Sequence, residues 1–271
     1  MRIFSYLPNP RIWKAQIAAA YLDVELEIIG DRPGELTDWL WDVNPRPLAD
    51  GERDSLADNA VTGSRGFSNS LIKTDAFLQQ HPFGTVPAAF FGDQRIGVFE
   101  SNSILRATVR AAKDPLGLYG KNAADASRID SFLDEGLVFA REAQVYLLGL
   151  HEMTEALAER MRAAATFYLQ GIERALEHDD YLVGNNLTIA DIAFACDLGQ
   201  FLRERLMHAS MDDPRFPSIA VELLNAYPMT KAHLLSLGQK PHLLLALDGF
   251  STAWTTPSRY RALTKWEFLW G

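Results

Sequence analysis

The opening stretch IFSYLPNPRIWKAQIAAAYLDVELEII, residues 3–29, constrains the fold more than any other. Residues 2–6 read as a short buried strand. NPRIWKAQIAAAYL follows as a helix, with Asn9 at its N-cap and Pro10 at the first helical position. VELEII, residues 24–29, alternates and reads as a second strand. Two strands joined through a helix favour a parallel pair with a right-handed crossover. The strand signal resumes later: TDAFLQQHPFG reads as a short helix and turn, TVPAAFF as a strand, GDQ as a hairpin turn and RIGVF as another strand. ESNSILRATVRAA follows at once as a helix. The expected order is β-α-β, a connection, then β-β-α.

The connection, residues 31–72, reads as irregular, and a loop of that length is uncommon inside a compact domain unless it is functional or mobile. TDWLWDVNP inside it resembles TDAFLQQHP, but only the second copy leads into Val-Pro and strands, so the first is expected to be a helix within an insertion. From about Asp114 the texture changes. KDPLGLYGKN is a Pro/Gly linker, and the segments DASRIDSFLDEGLVFAREAQVYLLGL, ALAERMRAAATFYLQGIERALEH and TIADIAFACDLGQFLRERLM carry helical periodicity. The expected division is an α/β part, residues 1–112, carrying the insertion, and an all-α part, residues 125–271, whose aromatic tail SRYRALTKWEFLWG packs back on the body. A length of 271 residues with 48% hydrophobic composition suits one large or two ordinary globular domains.

Several classes fall away. A net charge of −9 argues against a nucleic-acid binder. Cys196 is the single cysteine, which excludes an internal disulfide, a CxxC redox pair and a Cys-rich metal site. No apolar run is long enough to span a bilayer, and the start, broken by Pro8 and Pro10, is no secretion signal. A cytoplasmic protein without a metal or a membrane partner is expected.

Chemistry concentrates in HPFGTVPAAFFGDQRIGVFESNSI, residues 81–104. Val86-Pro87 opens a strand, where a residue without an N–H is tolerated. A cis bond there turns the Val86 backbone groups outward, to pair with a peptide as an added strand does, although trans is the commoner state of an X-Pro bond. At FESNSI a strand ends and a helix begins, so free N–H groups and a positive dipole end face out, beside a Ser101 hydroxyl and a Glu100 carboxylate. A carboxylate site beside an ammonium site is what an α-amino-acid head group requires. Alone, Ser101 reads as an N-cap and Glu100 as a first-turn charge; following Val-Pro and two strands, the pair reads as a site.

HPFGTVP, FESNSI and YLVGNNLTIADIAFA in this order resemble the cytosolic glutathione transferase superfamily over nearly the whole chain, apart from the insertion and the tail. The resemblance implies a thioredoxin-like N-terminal domain with cis Pro87 and an all-helical second domain. It implies glutathione as co-substrate, held by Thr85, Val86, Pro87, Glu100 and Ser101, with Val86 pairing the cysteinyl backbone and Glu100 and Ser101 holding the γ-glutamyl head. Thr188 and Asp191 form a capping box of structural importance only, and Cys196 on the same helix reads as a buried inert thiol. SYLPNPRIWKAQIAAAYLDVELEII and VFESNSI resemble the glutathione-transferase-like domain of the elongation factor 1 gamma subunit.

A thiol of pKa about 8.5 is only a few per cent ionised at neutral pH, so an enzyme must stabilise the thiolate. The resemblance places that group at the end of the first strand or the start of the first helix, where Ser5, Tyr6, Asn9 and Arg11 are the candidates, and Asn9 is the first choice. The chain departs from the family at Gly84-Thr85, where Lys or His commonly anchors the glycyl carboxylate; Lys73 and His81 are substitutes, His81 also reading as a turn cap. Phe132, Phe139, Tyr146, Trp254 and Trp266 are candidate liners of an acceptor pocket, each also a candidate core residue. The expected activity is attack of glutathione on a hydrophobic, aromatic electrophile, either conjugation or thiolytic aryl-ether cleavage as in bacterial β-etherases. The alternative is a non-catalytic scaffold or supporting subunit. A homo- or heterodimer is expected in both cases.

Overall fold

The computed structural model describes residues 1–63, 67, 69–92, 96–204 and 217–243. Its N-terminal sheet holds β1 (Arg2–Tyr6), β2 (Glu27–Asp31), β7 (Ala88–Phe91) and β8 (Ile96–Phe99) in the order β2-β1-β7-β8. β1 and β2 are parallel, and β7 is antiparallel to both β1 and β8. The crossover helix α1 (Pro10–Leu22) packs beside α4 (Ser101–Ala111) on one face. Successive residues of a strand point to opposite faces. Ile3 and Ala89 accordingly pack with Ile12, Ala15 and Ile104 under the helices, while Phe4, Ala88 and Phe90 face the other way.

What covers that other face differs from expectation. Residues 31–72 are not irregular: they carry β3 (Trp39–Trp41), β4 (Arg46–Pro47), the short α2 (Glu52–Ser55), β5 (Ala60–Thr62) and most of β6 (Ser70–Lys73). The strands form a second sheet in the order β4-β3-β6-β5. The expected helix at TDWLWDVNP is a 3-10 turn, Glu35–Asp38, followed by β3. Aromatic side chains favour strands, and here burial decides the matter. The Trp41 ring is fully buried and meets Phe4 at 5.3 Å and Phe67 at 5.4 Å edge-on, while its Nε1–H donates to the Leu36 carbonyl at 3.0 Å. Strand β2 begins later than the alternation implied, because Val24 donates its N–H to the Ala19 carbonyl and closes α1; the parallel register then pairs Arg2–Tyr6 with Glu27–Asp31.

Helix α3 (Asp75–Gln80) leads back to the first sheet. The helical part holds α5 (Ala123–Gly149), α6 (Glu155–Ala175), α7 (Ile189–Leu202), α8 (Ile219–Ala226) and α9 (Pro228–Leu237). All residues of α7 are buried, so it is the central post of the bundle and shows no polar face. Its capping box forms: the Asp191 carboxylate accepts from the Thr188 N–H and Oγ1 and from the Leu182 N–H, and lies 2.9 Å from His233 Nε2. Among the described residues no helix is long and apolar enough to cross a membrane, and no group of three or more His, Cys, Asp or Glu could hold a metal ion.

Candidate active site

Register brings the candidate residues together. Phe4 of β1 pairs with Ala88 of β7, and Ala88 pairs with Phe99 of β8. The residues just beyond that row therefore emerge at one end of the sheet: Ser5 and Tyr6, then Val86-Pro87, then Glu100-Ser101. Helices α1 and α4 both begin there. The Val86-Pro87 peptide is cis, as is Leu7-Pro8. The ladder between β1 and β7 stops at Ala88, short of Val86.

Glu100 is the N-cap residue of α4, at φ 67° and ψ 133°, and Ser101 is the first helical residue. A left-handed backbone at a non-glycine residue costs about 1–3 kcal/mol and is held only where the surroundings impose it. Ser101 is buried, and the Glu100 side chain makes no capping bond to the helix. Nearby, the His81 ring stacks on Phe99 at 4.7 Å and its Nε2 lies 3.3 Å from Thr85 Oγ1. Burial pushes the His81 imidazole down to about 4, against the upward pull of the Glu100 carboxylate, so the ring is neutral at physiological pH. It offers no cation for a glycyl carboxylate. Lys73 is also buried, its Nζ donating to the Gly84 carbonyl at 2.8 Å and lying 5.0 Å over the Trp41 ring, with its pKa lowered by burial. Both residues support the Gly84–Val86 turn from within.

At the mouth of α1, Asn9 Oδ1 accepts from the Arg11 N–H at 2.9 Å, the inward capping geometry. Its Nδ2 donates to Ser5 Oγ at 2.8 Å, and both side chains are fully buried. Tyr6 is buried as well. Desolvation raises its phenol to about 12, opposed by the Arg11 and Arg203 guanidiniums, so the hydroxyl keeps its proton. Arg11 is the least buried of the four candidates. Its Nη2 donates to Gln144 Oε1 on α5 at 3.0 Å, and its Nε is buried with no hydrogen-bond partner. The guanidinium thus bridges α1 and α5 at the point where the dipole of α1 is positive.

The pocket candidates divide. Phe139 stacks on Tyr168 at 4.4 Å and packs edge-on to Phe201, and Tyr146 donates to Glu204 Oε1 at 2.5 Å. Both are core residues. Phe132 is half-buried and lines an open groove of about 380 Å³ between α5 and α6. Trp254 and Trp266 lie outside the described residues. Cys196 is buried, which pushes its thiol up to about 12. Gln144 was missed in the sequence, since its partner lies 133 positions away. Lys14, Asn102 and Asp197 were missed as well, though Lys14 and Asp197 each interrupt an apolar helix face, a readable sign of a buried pair.

Comparison with known proteins bears on the fold. Residues 129–233 match the family described as "Glutathione S-transferase, C-terminal domain". A glutathione S-transferase-like protein, LUC7, of a Fusarium species is 24% identical over 80% of this chain and 84% of its own. Elongation factor 1-gamma of Rattus norvegicus is 32% identical over 72% of this chain, which spans only 37% of that relative. Among solved structures, a Gtt2-class glutathione S-transferase of Vibrio parahaemolyticus superposes with a TM-score of 0.59 at 15% identity, covering 91% of this chain and 96% of that one. A glutathione transferase family member of Pseudomonas fluorescens, solved with two glutathione bound, gives a TM-score of 0.59 at 16% identity, covering 91% of each chain. A thioredoxin-like sheet followed by an all-helical bundle is the glutathione transferase fold. Residues 129–233 thus match a glutathione S-transferase C-terminal domain, and the chain has the glutathione transferase fold.

Proposed function

We propose that the chain is a glutathione-dependent transferase. In this reading the γ-glutamyl carboxylate meets the N-terminus of α4 and Ser101, and the Glu100 carboxylate takes its ammonium. The cysteinyl backbone pairs with Val86, flanked by Thr85 and shaped by Pro87. The observation that carries the proposal is the register that gathers Val86, the start of α4 and the start of α1 at one sheet end, with Glu100 held at φ 67° between them. The glutathione-bound relative of the same fold supports the choice of co-substrate.

The four thiolate candidates take different roles. Asn9 and Ser5 hold each other and the α1 mouth, so they position. Tyr6, protonated, is a hydrogen-bond donor rather than a base. Arg11 carries the positive charge that stabilises the thiolate, a role matched by its place at the helix N-terminus. The thiolate then attacks a carbon of an aromatic electrophile; the carbon–sulfur bond forms as the bond to a halide or aryloxide breaks, and the leaving group takes its electron pair. α-Aryloxy ketones, as in β-etherase chemistry, belong to this class. The same proposal includes a cytoplasmic location and a dimer. Phe83, after α3, and Phe167, on α6, are 67% and 70% exposed.

The test is glutathione consumption across aryl halides and α-aryloxy ketones. We expect turnover above the uncatalysed rate, and in Arg11→Ala a bound thiol whose pKa rises toward the free value of about 8.5. Glutathione that binds without turnover of any electrophile would favour a supporting module, the reading suggested by the likeness to elongation factor 1-gamma.

A further inference from the structure

We infer that Lys14, Asn102 and Asp197 are positioning residues that hold the two helix mouths of the glutathione cleft in register, an inference that rests on the reading of that cleft given above. Lys14, on α1, is fully buried. Its Nζ donates to Asp197 Oδ2 on α7 at 2.7 Å and to Asn102 Oδ1 on α4 at 2.8 Å. Asn102 in turn donates from Nδ2 to the Leu133 carbonyl on α5 at 2.6 Å. The Lys14 ammonium therefore ties α1 to α4 and α7, and the Asn102 amide extends the tie to α5. Asn102 directly follows Ser101, and Lys14 lies one turn beyond Arg11. Any slide of α1 or α4 along its axis carries Arg11 or Ser101 with it.

Stability alone does not account for the cluster. A buried ion pair is commonly matched or exceeded by apolar side chains of similar volume, because both charges lose their water. Asp197 shows that cost: burial raises its carboxyl pKa, and Lys14 draws it back down. What the pair supplies is geometry. Apolar side chains tolerate sliding, whereas donor–acceptor contacts of this length do not. Asp197 also lies within electrostatic reach of Arg11, so the same carboxylate sets the charge balance behind the α1 mouth.

The test compares Lys14→Met/Asp197→Leu with the milder Asn102→Ala. Amide exchange is read at Ile12 and Ile104, whose N–H groups make the first backbone hydrogen bonds of α1 and α4, to Asn9 and Glu100. Glutathione affinity is read by calorimetry. In the double variant we expect an unchanged or raised melting temperature, exchange at both amides faster by about tenfold or more, and glutathione binding weaker by a similar factor. In Asn102→Ala we expect the change at Ile104 but not at Ile12. Wild-type exchange at both positions in both variants would overturn the inference, as would exchange that rises uniformly along the helices in step with lost global stability. If the double variant does not fold, Asn102→Ala decides alone. A wild-type protein that binds no glutathione sinks the functional reading instead, while the exchange at the two helix mouths still decides whether the device exists.

Discussion

Asn9 shows how one buried side chain can hold the mouth of a helix from within. Both ends of its amide are engaged, one on the helix and one on Ser5. Asn9→Ala should therefore remove a cap and leave a buried hydroxyl without its donor, costing about 1–3 kcal/mol together. A thermal melt should show this as a loss of about 2–4 °C per kcal/mol in a chain of this size, and an unchanged melt would refute the capping role. This cap was legible in the sequence because cap chemistry is local: Asn before Pro before an apolar helix needs no tertiary contact to be read. What the sequence left open, whether the amide turns inward or outward, depends on Ser5 across the turn. His81 was read as a substitute anchor or a turn cap, and its burial was not legible, since that depends on Phe99 and Phe77, which arrive from other elements. Its folded pKa of about 4 lies below the ordinary value of 6.5. The unfolded chain thus binds more protons between these values, and stability must fall as pH drops through 6.5 toward 4. Denaturant titrations at pH 7 and pH 5 should show a smaller loss in His81→Phe than in the wild type; an equal loss would place the acid sensitivity elsewhere.

At the scale of elements, the first sheet was legible and the second was not. A short apolar run, a capped helix and an alternating segment mark β1, α1 and β2 within a single stretch of chain, and Val-Pro marks the approach to β7. The inserted sheet has no such signature, because β3 and β6 pair across 32 positions (Leu40 with Ile72) and are only three or four residues long. Its strands are specified by what they cover, the Phe4, Phe90 and Phe77 face, rather than by their own pattern. Gly30 in β2 carries a comparable hidden demand. At φ 151°, a Cβ there would lie 1.7 Å from the Ser5 carbonyl oxygen, well inside contact distance. Gly30→Ala should push β2 away from β1 beside Ser5 and Tyr6. We expect it to cost more than the change of about 1 kcal/mol typical of a glycine substitution and to weaken glutathione binding. An alanine variant as stable as the wild type, with the same affinity, would show that the two strands can part without consequence for the site.

For the whole molecule, the division into a sheet-bearing part and a helical part was legible because strand signals alternate with helical ones up to about Asp114 and only helical ones follow. The contact between the parts was not. It runs through Lys14 and Asp197, 183 positions apart, and through Arg11 and Gln144; a charge on an apolar helix face marks Lys14 and Asp197 as buried, but no local pattern says which residues meet. The proposed glutathione site was legible at α4 and Val86, where the sequence marks a strand start and a helix end. It was less legible at α1, where burial separates Arg11 from its neighbours. The central claim is that glutathione lies across these helix mouths with its γ-glutamyl end on Glu100 and Ser101. Calorimetric titration of glutathione into the wild type and into Glu100→Gln tests it most directly. We expect one site per chain in the wild type and, in the variant, the loss of a charge-assisted contact of about 1.5–3 kcal/mol, a weakening of at least about tenfold. No heat of binding in the wild type, or the same affinity in both proteins, would contradict it.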